Sequence, residues 1–258
     1  MKFKYTLSKD VLEFVKDAKL KDVNIGCSDS QVVEIHKNEK IYFLKIMKSG
    51  LLENEYKRLK WLQDKLPVPQ VIMYSQENGN DYLITLKMHG EMLCSDYYIN
   101  NPDIAIKVLV EAFNNLYSVD ISNCPFDVSN NYKLSLVRER VKKGLVSTSD
   151  LKKDTIKKFG TVNNLLSFLE ENRPKEELTF SHGDTSLPNI FAEKDKFEGF
   201  IDTGDCGIAD KWFDLAICEK SIRRNYGDKY VKKFYDELNI KRDEGIVNYY
   251  LYMMELYP

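Results

Sequence analysis

The spacing of apolar positions changes several times along this chain, and each change predicts an element. Residues 8–19 set Leu12, Val15 and Ala18 on one face behind Ser8, the residue type that caps a helix start, and predict a first helix. Alternation follows: Q31-V-V-E-I and I41-Y-F-L-K-I read as paired strands around the turn H36-K-N-E-K. Helical spacing returns in Leu52, Tyr56, Leu59, Leu62 and Leu66, which predicts a helix over 51–66. After L66-P-V-P, the segments P69-Q-V-I-M-Y and Y82-L-I-T-L form a second pair of strands around E77-N-G-N-D. The first third is therefore expected to be a small sheet with an inserted helix.

The character shifts at M88-H-G-E-M. Asn101 and Pro102 read as the cap and first residue of a helix that turns Ala105, Val108, Leu109, Ala112, Phe113 and Leu116 inward. Further helical stretches are predicted near 133–146, 161–172, 210–225, 228–238 and 243–257, interrupted by a strand-like hairpin at 190–201. The expected architecture is α+β and two-lobed: a small β-rich N-lobe over residues 1–88, and a larger helical C-lobe over 89–258 that contains the hairpin. Clefts between lobes commonly take nucleotides, so function is expected at the seam.

Composition narrows the classes. At 258 residues the chain can bury a substantial core, and 30% charged residues with a net charge of −2 give no basic field for nucleic acid or membrane. Five cysteines, odd in number and without a C-x-x-C pair, indicate neither a disulfide framework nor a zinc site. The N-terminus M-K-F-K-Y-T-L has no apolar signal-peptide core, and no apolar run approaches the ~18 residues of a membrane span. A cytoplasmic protein is expected.

Chemistry concentrates in H182-G-D-T-S-L-P-N-I-F and G199-F-I-D. Asp184 and Asn189 bracket a Pro-containing loop, and I190-F-A-E with E198-G-F-I reads as a hairpin returning Asp202 beside it. Phosphoryl transfer needs this set: a carboxylate to orient the attacking hydroxyl, and an Asn and an Asp to hold Mg²⁺ on nucleotide phosphates. Mg²⁺ takes few protein oxygens, which an Asn–Asp pair satisfies. An ordinary Asp/Asn-rich hairpin would share these residue types. It would not require the further pattern G-x-A-D-x-x-x-D-L-A at Gly207–Ala216. His182 is expected to pack behind the loop, His36 and His89 to lie at a turn and a lobe junction, and Asp210 and Asp214 to cap a helix.

Other candidates are read from the first third. Lys45 ends the alternating strand Y42-F-L-K, on the side opposite Tyr42 and Leu44. It is either a solvated strand lysine or a phosphate ligand, and Glu55 in the next helix favours the second, because a partly desolvated lysine needs a carboxylate beside it. Glu53 is the alternative partner. In G26-C-S-D-S-Q, Ser28 either donates to a phosphate or stabilises a turn.

These segments, with W61-L-Q-D-K-L-P-V-P, V119-D-I-S-N-C-P, A209-D-K-W-F-D-L-A and the terminal M254-E-L, resemble the aminoglycoside 3′-phosphotransferases, a family with the protein-kinase fold. The resemblance implies ATP as donor (GTP stays open from the sequence), Mg²⁺ as cofactor, and phosphorylation of an aminoglycoside hydroxyl, conferring resistance. It implies Lys45 and Glu55 as the phosphate-binding pair, Asp184 as catalytic carboxylate, and Asn189 and Asp202 as metal ligands. Leu86 and Met88 in L86-K-M-H would form the hinge against adenine, and Ile201 the floor of its pocket. Asp205, Glu255 and the terminal carboxylate would line the acceptor pocket.

The acceptor side departs from the family pattern. Asp205 stands where I-D-x-G-R-x-G has Arg, the tail has Met254 before a single Glu255, and residues 142–158 carry Lys142, Lys143, Lys152, Lys153, Lys157 and Lys158 against Asp150 and Asp154. A kinase of the same fold acting on a sugar, a choline-like alcohol or another antibiotic is the competing reading; a catalytically silent nucleotide-binding module is a third. A protein kinase is disfavoured by the missing G-x-G-x-x-G loop and A-P-E segment. The oligomeric state is not legible.

Overall fold

The structure, a computed structural model, describes residues 3–23 and 30–257. Ser28, with most of the segment expected to cover phosphates, lies outside these residues, as does the terminal carboxylate of Pro258. The chain divides into two compact units: Met1–Glu91 with Phe191–Asp205, and Met92–Ile190 with Cys206–Pro258. This differs from a single boundary after residue 88, because the segment carrying Asp202 joins the first unit. Close backbone approach ties it there: Phe200 N–H donates to Pro67 O at 3.0 Å, and a Cβ on Gly199 would stand 2.4 Å from that same oxygen.

In the first unit, α1 (Lys9–Val15) is capped by Ser8, whose Oγ accepts the Val11 N–H at 3.2 Å. It stops earlier than its apolar spacing predicts. Asp17 takes a left-handed φ of +62°, which ends the helix and releases Lys19–Val23 as the edge strand β1. β2 (Gln31–Lys37), β3 (Lys40–Lys48), β4 (Val71–Glu77) and β5 (Asn80–Leu86) complete an antiparallel sheet in the order β1-β2-β3-β5-β4. Asn38 and Glu39, and then Asn78 and Gly79, hold positive φ at the two hairpin tips, the geometry that matches strand twist.

Period-two alternation sorts the sheet's faces. Val33, Ile35, Leu44, Ile46, Tyr82 and Ile84 bury one face with Val11. Leu83 on the other face packs with Leu52 and Leu59, from the start and middle of the region that forms α2 (Glu53–Leu62). Lys45 lies between Leu44 and Ile46 in β3 and opposite Leu83 in register, so it belongs to the face that α2 covers.

The second unit is mainly helical: α3 (Asp96–Asn100), α4 (Pro102–Ser118), α5 (Asn130–Lys142), α6 (Lys153–Phe159), α7 (Val162–Glu171), α8 (Lys211–Asn225), α9 (Lys229–Glu237) and α10 (Glu244–Met253). Ala105, Ile106, Val108, Leu109, Ala112, Phe113 and Leu116 are all buried along α4, as its spacing requires. Asn101 precedes α4 but makes no side-chain cap bond; its Nδ2 donates to Tyr97 O instead. Strands β7 (Leu178–Ser181) and β10 (Gly207–Asp210) pair antiparallel. The short β6 (Glu91–Met92), β8 (Ile190–Glu193) and β9 (Lys196–Phe200) form a third sheet, with β9 and most of β8 counted in the first unit. Gly144 at φ +65° ends the α5 region, so 142–158 is not one helix, and its six lysines are all exposed.

Candidate active site

The candidate residues fall into two groups, one in each unit. In the first, Lys45 Nζ lies 2.8 Å from Glu55 Oε2 and 3.1 Å from Asp202 Oδ1. Glu53 pairs instead with Lys57 at 2.7 Å on the exposed side of α2, which decides between the two carboxylates. Burial works against the charge of Lys45, but Glu55 and Asp202 together carry its pKa above the ordinary lysine value. Burial also pushes Glu55 up; Lys45 opposes this, and Asp202 and Asp205 add to it. For the pair as a unit the decisive effect is on the lysine, which is held as the ammonium between two carboxylates.

Asp202 sits at φ +58°, a left-handed position costly for most residues but tolerated by Asp. Its carboxylate is more than half exposed, and Oδ2 has no partner among the described residues. Asp205 is exposed at the end of the 3₁₀ turn Thr203–Asp205 and acts electrostatically on Glu55. Leu86 closes β5, opposite Tyr42, with its N–H on Gln70 O at 2.9 Å. Met88 approaches Gly199 so closely that a Cβ there would stand 2.8 Å from its methyl carbon, and Ile201 is half-buried.

The second group is the loop from His182 to Asn189. Asp184 Oδ2 accepts Asn189 Nδ2 at 2.8 Å, and Oδ1 accepts the Ser186 N–H at 3.3 Å. Asn189 Nδ2 also donates to Asp184 O at 3.0 Å. The amide nitrogen is thus turned toward Asp184, leaving Asn189 Oδ1 without a partner among the described residues. His182 is buried, as expected, and its Nδ1 accepts the Asp184 N–H at 3.2 Å.

Two side chains of α8 support this loop. Asp210 is the helix cap, accepting Trp212 N–H at 3.2 Å. Asp214 is not a cap: it accepts His182 N–H at 2.8 Å and Gly183 N–H at 3.0 Å, while its own carbonyl accepts Thr185 Oγ1 at 2.7 Å. Burial pushes Asp214 up, with His182 and these N–H groups pulling the other way. Two helical turns later, Ser221 Oγ accepts Leu187 N–H at 3.0 Å. Neither role is visible from a single motif, though a spacing of seven places both residues on one face of the helix.

Glu255 is engaged differently from an open acceptor carboxylate. It is almost wholly buried and accepts Lys152 N–H and Thr155 Oγ1, both at 2.9 Å, at the start of α6; Lys152 Nζ stands 3.5 Å away. At the other end of α6, Lys158 Nζ lies over the rings of Tyr252, Phe159 and Phe168.

A charged lysine held by two carboxylates, and a loop that orients one carboxylate and one amide oxygen, suit an enzyme of phosphoryl transfer. The sequence model described as the phosphotransferase enzyme family matches residues 19–245, and the chain belongs to that family. It is 35% identical over 243 residues to an aminoglycoside 3′-phosphotransferase of Staphylococcus aureus, covering 90% of this chain and 91% of that one. A protein of the same description from Enterococcus faecalis is 36% identical over 244 residues, with the same coverage. In fold, the chain matches an aminoglycoside phosphotransferase of Streptomyces rimosus with TM-score 0.81 at 22% identity, over 96% of both chains. A type VIII aminoglycoside-3′-phosphotransferase gives TM-score 0.82 at 24% identity, over 96% of this chain and 98% of that one. The kinase-like α+β fold implied by the sequence is the fold observed. Among the described residues, no helix is long and apolar enough to cross a membrane.

Proposed function

We propose that this enzyme transfers the γ-phosphate of ATP to a hydroxyl of an aminoglycoside, the 3′-hydroxyl by analogy with the names of its relatives. The observation that carries phosphoryl transfer is the capture of Lys45 between Glu55 and Asp202. It supports a lysine that stays cationic and aimed where nucleotide phosphates bind. Asp184 is the carboxylate that accepts the hydroxyl proton of the acceptor; its hydrogen bonds from Asn189 and Ser186 fix its plane. Met88, whose backbone takes no hydrogen-bond partner among the described residues, suits a hinge contact to the base, with Ile201 beneath it.

Asn189 Oδ1 and Asp202 Oδ2 are hard oxygen donors without other partners among the described residues, which fits each as a Mg²⁺ ligand. Bound Mg²⁺ would neutralise charge developing on the transferred phosphoryl group. Asp214 and Ser221 keep the loop that bears Asp184 and Asn189 in one conformation.

Lys45→Ala should weaken ATP binding, and Glu55→Ala should reproduce part of that loss by freeing the lysine. The double variant should be less impaired than the sum of the singles, since contacting residues do not act additively. Strict additivity in calorimetric ATP titrations would mean that the two act separately.

The acceptor is tested by phosphate transfer to a panel of aminoglycosides, neutral sugars and simple alcohols. Turnover of cationic aminosugars, with KM rising as salt screens the acceptor's charges, is the expected result. Turnover of a neutral or anionic alcohol with no aminoglycoside accepted would overturn the acceptor assignment and leave phosphoryl transfer standing. That second reading is favoured by one observation: Glu255 is already committed to α6.

A further inference from the structure

The helix that carries Glu55 has no cap of its own. Leu52 occupies its N-cap position with an apolar side chain and makes no side-chain cap bond, although a helix start presents N–H groups that need acceptors. The acceptor comes from a different strand. Asp81, at the start of β5, is fully buried. Its Oδ2 accepts Gly50 N–H at 2.8 Å and Leu52 N–H at 2.9 Å, and its Oδ1 accepts Gln76 Nε2 at 2.9 Å. Among the described residues no cation pairs with it; three N–H donors are what holds a carboxyl group in this interior.

Its placement matters for the chemistry. Asp81 faces Met47 in the β3–β5 register, two residues beyond Lys45, and Glu55 lies three residues beyond Leu52. The two amides it binds belong to the link between the strand that bears Lys45 and the helix that bears Glu55. A second contact from the same hairpin fixes the helix one turn in: Tyr74 of β4 stacks on Tyr56 with ring centres 4.4 Å apart and planes 9° from parallel. The β4–β5 hairpin therefore holds the link that leads into α2 and the helix itself beside Glu55.

We propose that Asp81 is a positioning residue for the Lys45–Glu55 pair: by accepting the Gly50 and Leu52 amides it sets where α2 begins, and so where Glu55 meets Lys45. The proposal rests on the reading of that pair as the phosphate-binding element. The chemistry of the site ranks the substitutions. Asn at 81 can keep its oxygen on both amides while Gln76 turns its own oxygen to meet the new NH₂. Ala leaves the buried Leu52 N–H and the partly buried Gly50 N–H without their acceptor.

The test is calorimetric titration of ATP into the wild type, Asp81→Asn, Asp81→Ala, Glu55→Ala, Lys45→Ala and the Asp81→Ala/Glu55→Ala double variant, at a temperature where thermal melting shows each folded. Asp81→Ala should raise the ATP Kd about tenfold, Asp81→Asn should restore most of the affinity, and Asp81→Ala should add less than about twofold on the Glu55→Ala background. A purely structural role would lower Tm without moving the Kd of the folded protein. If Asp81→Ala does not fold, Asp81→Ser takes its place, its hydroxyl being too short to serve both amides. The proposal is overturned if the Ala or Ser variant binds ATP as the wild type does, or if its full effect persists without Glu55. Should Lys45→Ala also bind ATP normally, the phosphate-binding reading itself falls; should Lys45→Ala bind weakly while Asp81→Ala binds normally, only the role of Asp81 falls.

Discussion

Asp184→Asn should lower kcat by about 10²–10⁴ with little change in ATP affinity, the range expected when a positioned base is removed. The carboxylate uses both oxygens as acceptors, toward Asn189 Nδ2 and the Ser186 N–H. An amide at position 184 can keep one of these bonds and cannot take the proton of an attacking hydroxyl. It would also set an NH₂ against that of Asn189 or turn the latter's side chain around, so the demand for Mg²⁺ should rise as well. Single-turnover rates measured across Mg²⁺ concentrations separate the two effects. A variant with near-normal kcat would remove Asp184 from the chemistry.

Asp202→Ala should abolish turnover at any practical Mg²⁺ concentration, a loss of at least about 10³ in rate, because it removes the charged member of the proposed metal pair and one of the two carboxylates on Lys45. The backbone complicates this variant. At φ +58°, Ala in place of Asp adds a conformational cost on the order of 1 kcal/mol. Asp202→Asn is the matched control, since Asn tolerates the left-handed region and keeps the side chain's shape without its charge. Both variants should be inactive, with Asp202→Asn melting closer to the wild type. Activity in Asp202→Ala at ordinary Mg²⁺ would show that the segment after β9 has another purpose.

The strand pairs of the first unit and the long α4 could be read in advance because their information is local: alternation of side chains, Asn-Gly and Asn-Glu at hairpin tips, and a continuous apolar stripe. The loop around Asp184 was legible for a similar reason, its chemistry being packed into a short run of residue types. Some of the short elements left too little pattern. β7 and β10 have four residues each, and α6 has seven; β1, just after a helix expected to run to residue 19, was assigned no element. What the sequence hid most completely were functions assigned by long-range contact. Asp81 read as a turn residue and Asp214 as a cap, yet both accept amides from distant segments. Glu255 read as an open acid because its partners lie about a hundred residues away in the chain.

That last connection has a consequence for how the sequence can drift. Glu255 binds Thr155 and the Lys152 amide, and Tyr252 lies against Lys158, so both ends of α6 depend on the end of α10. A change to Glu255 strands a hydroxyl and an amide; a change to Thr155 strands part of a buried carboxylate. Neither position is free to vary alone, and tolerated variants should carry paired substitutions at 155 and 255. Changes at Thr155 or Lys158 therefore bear on the end of α10 as well.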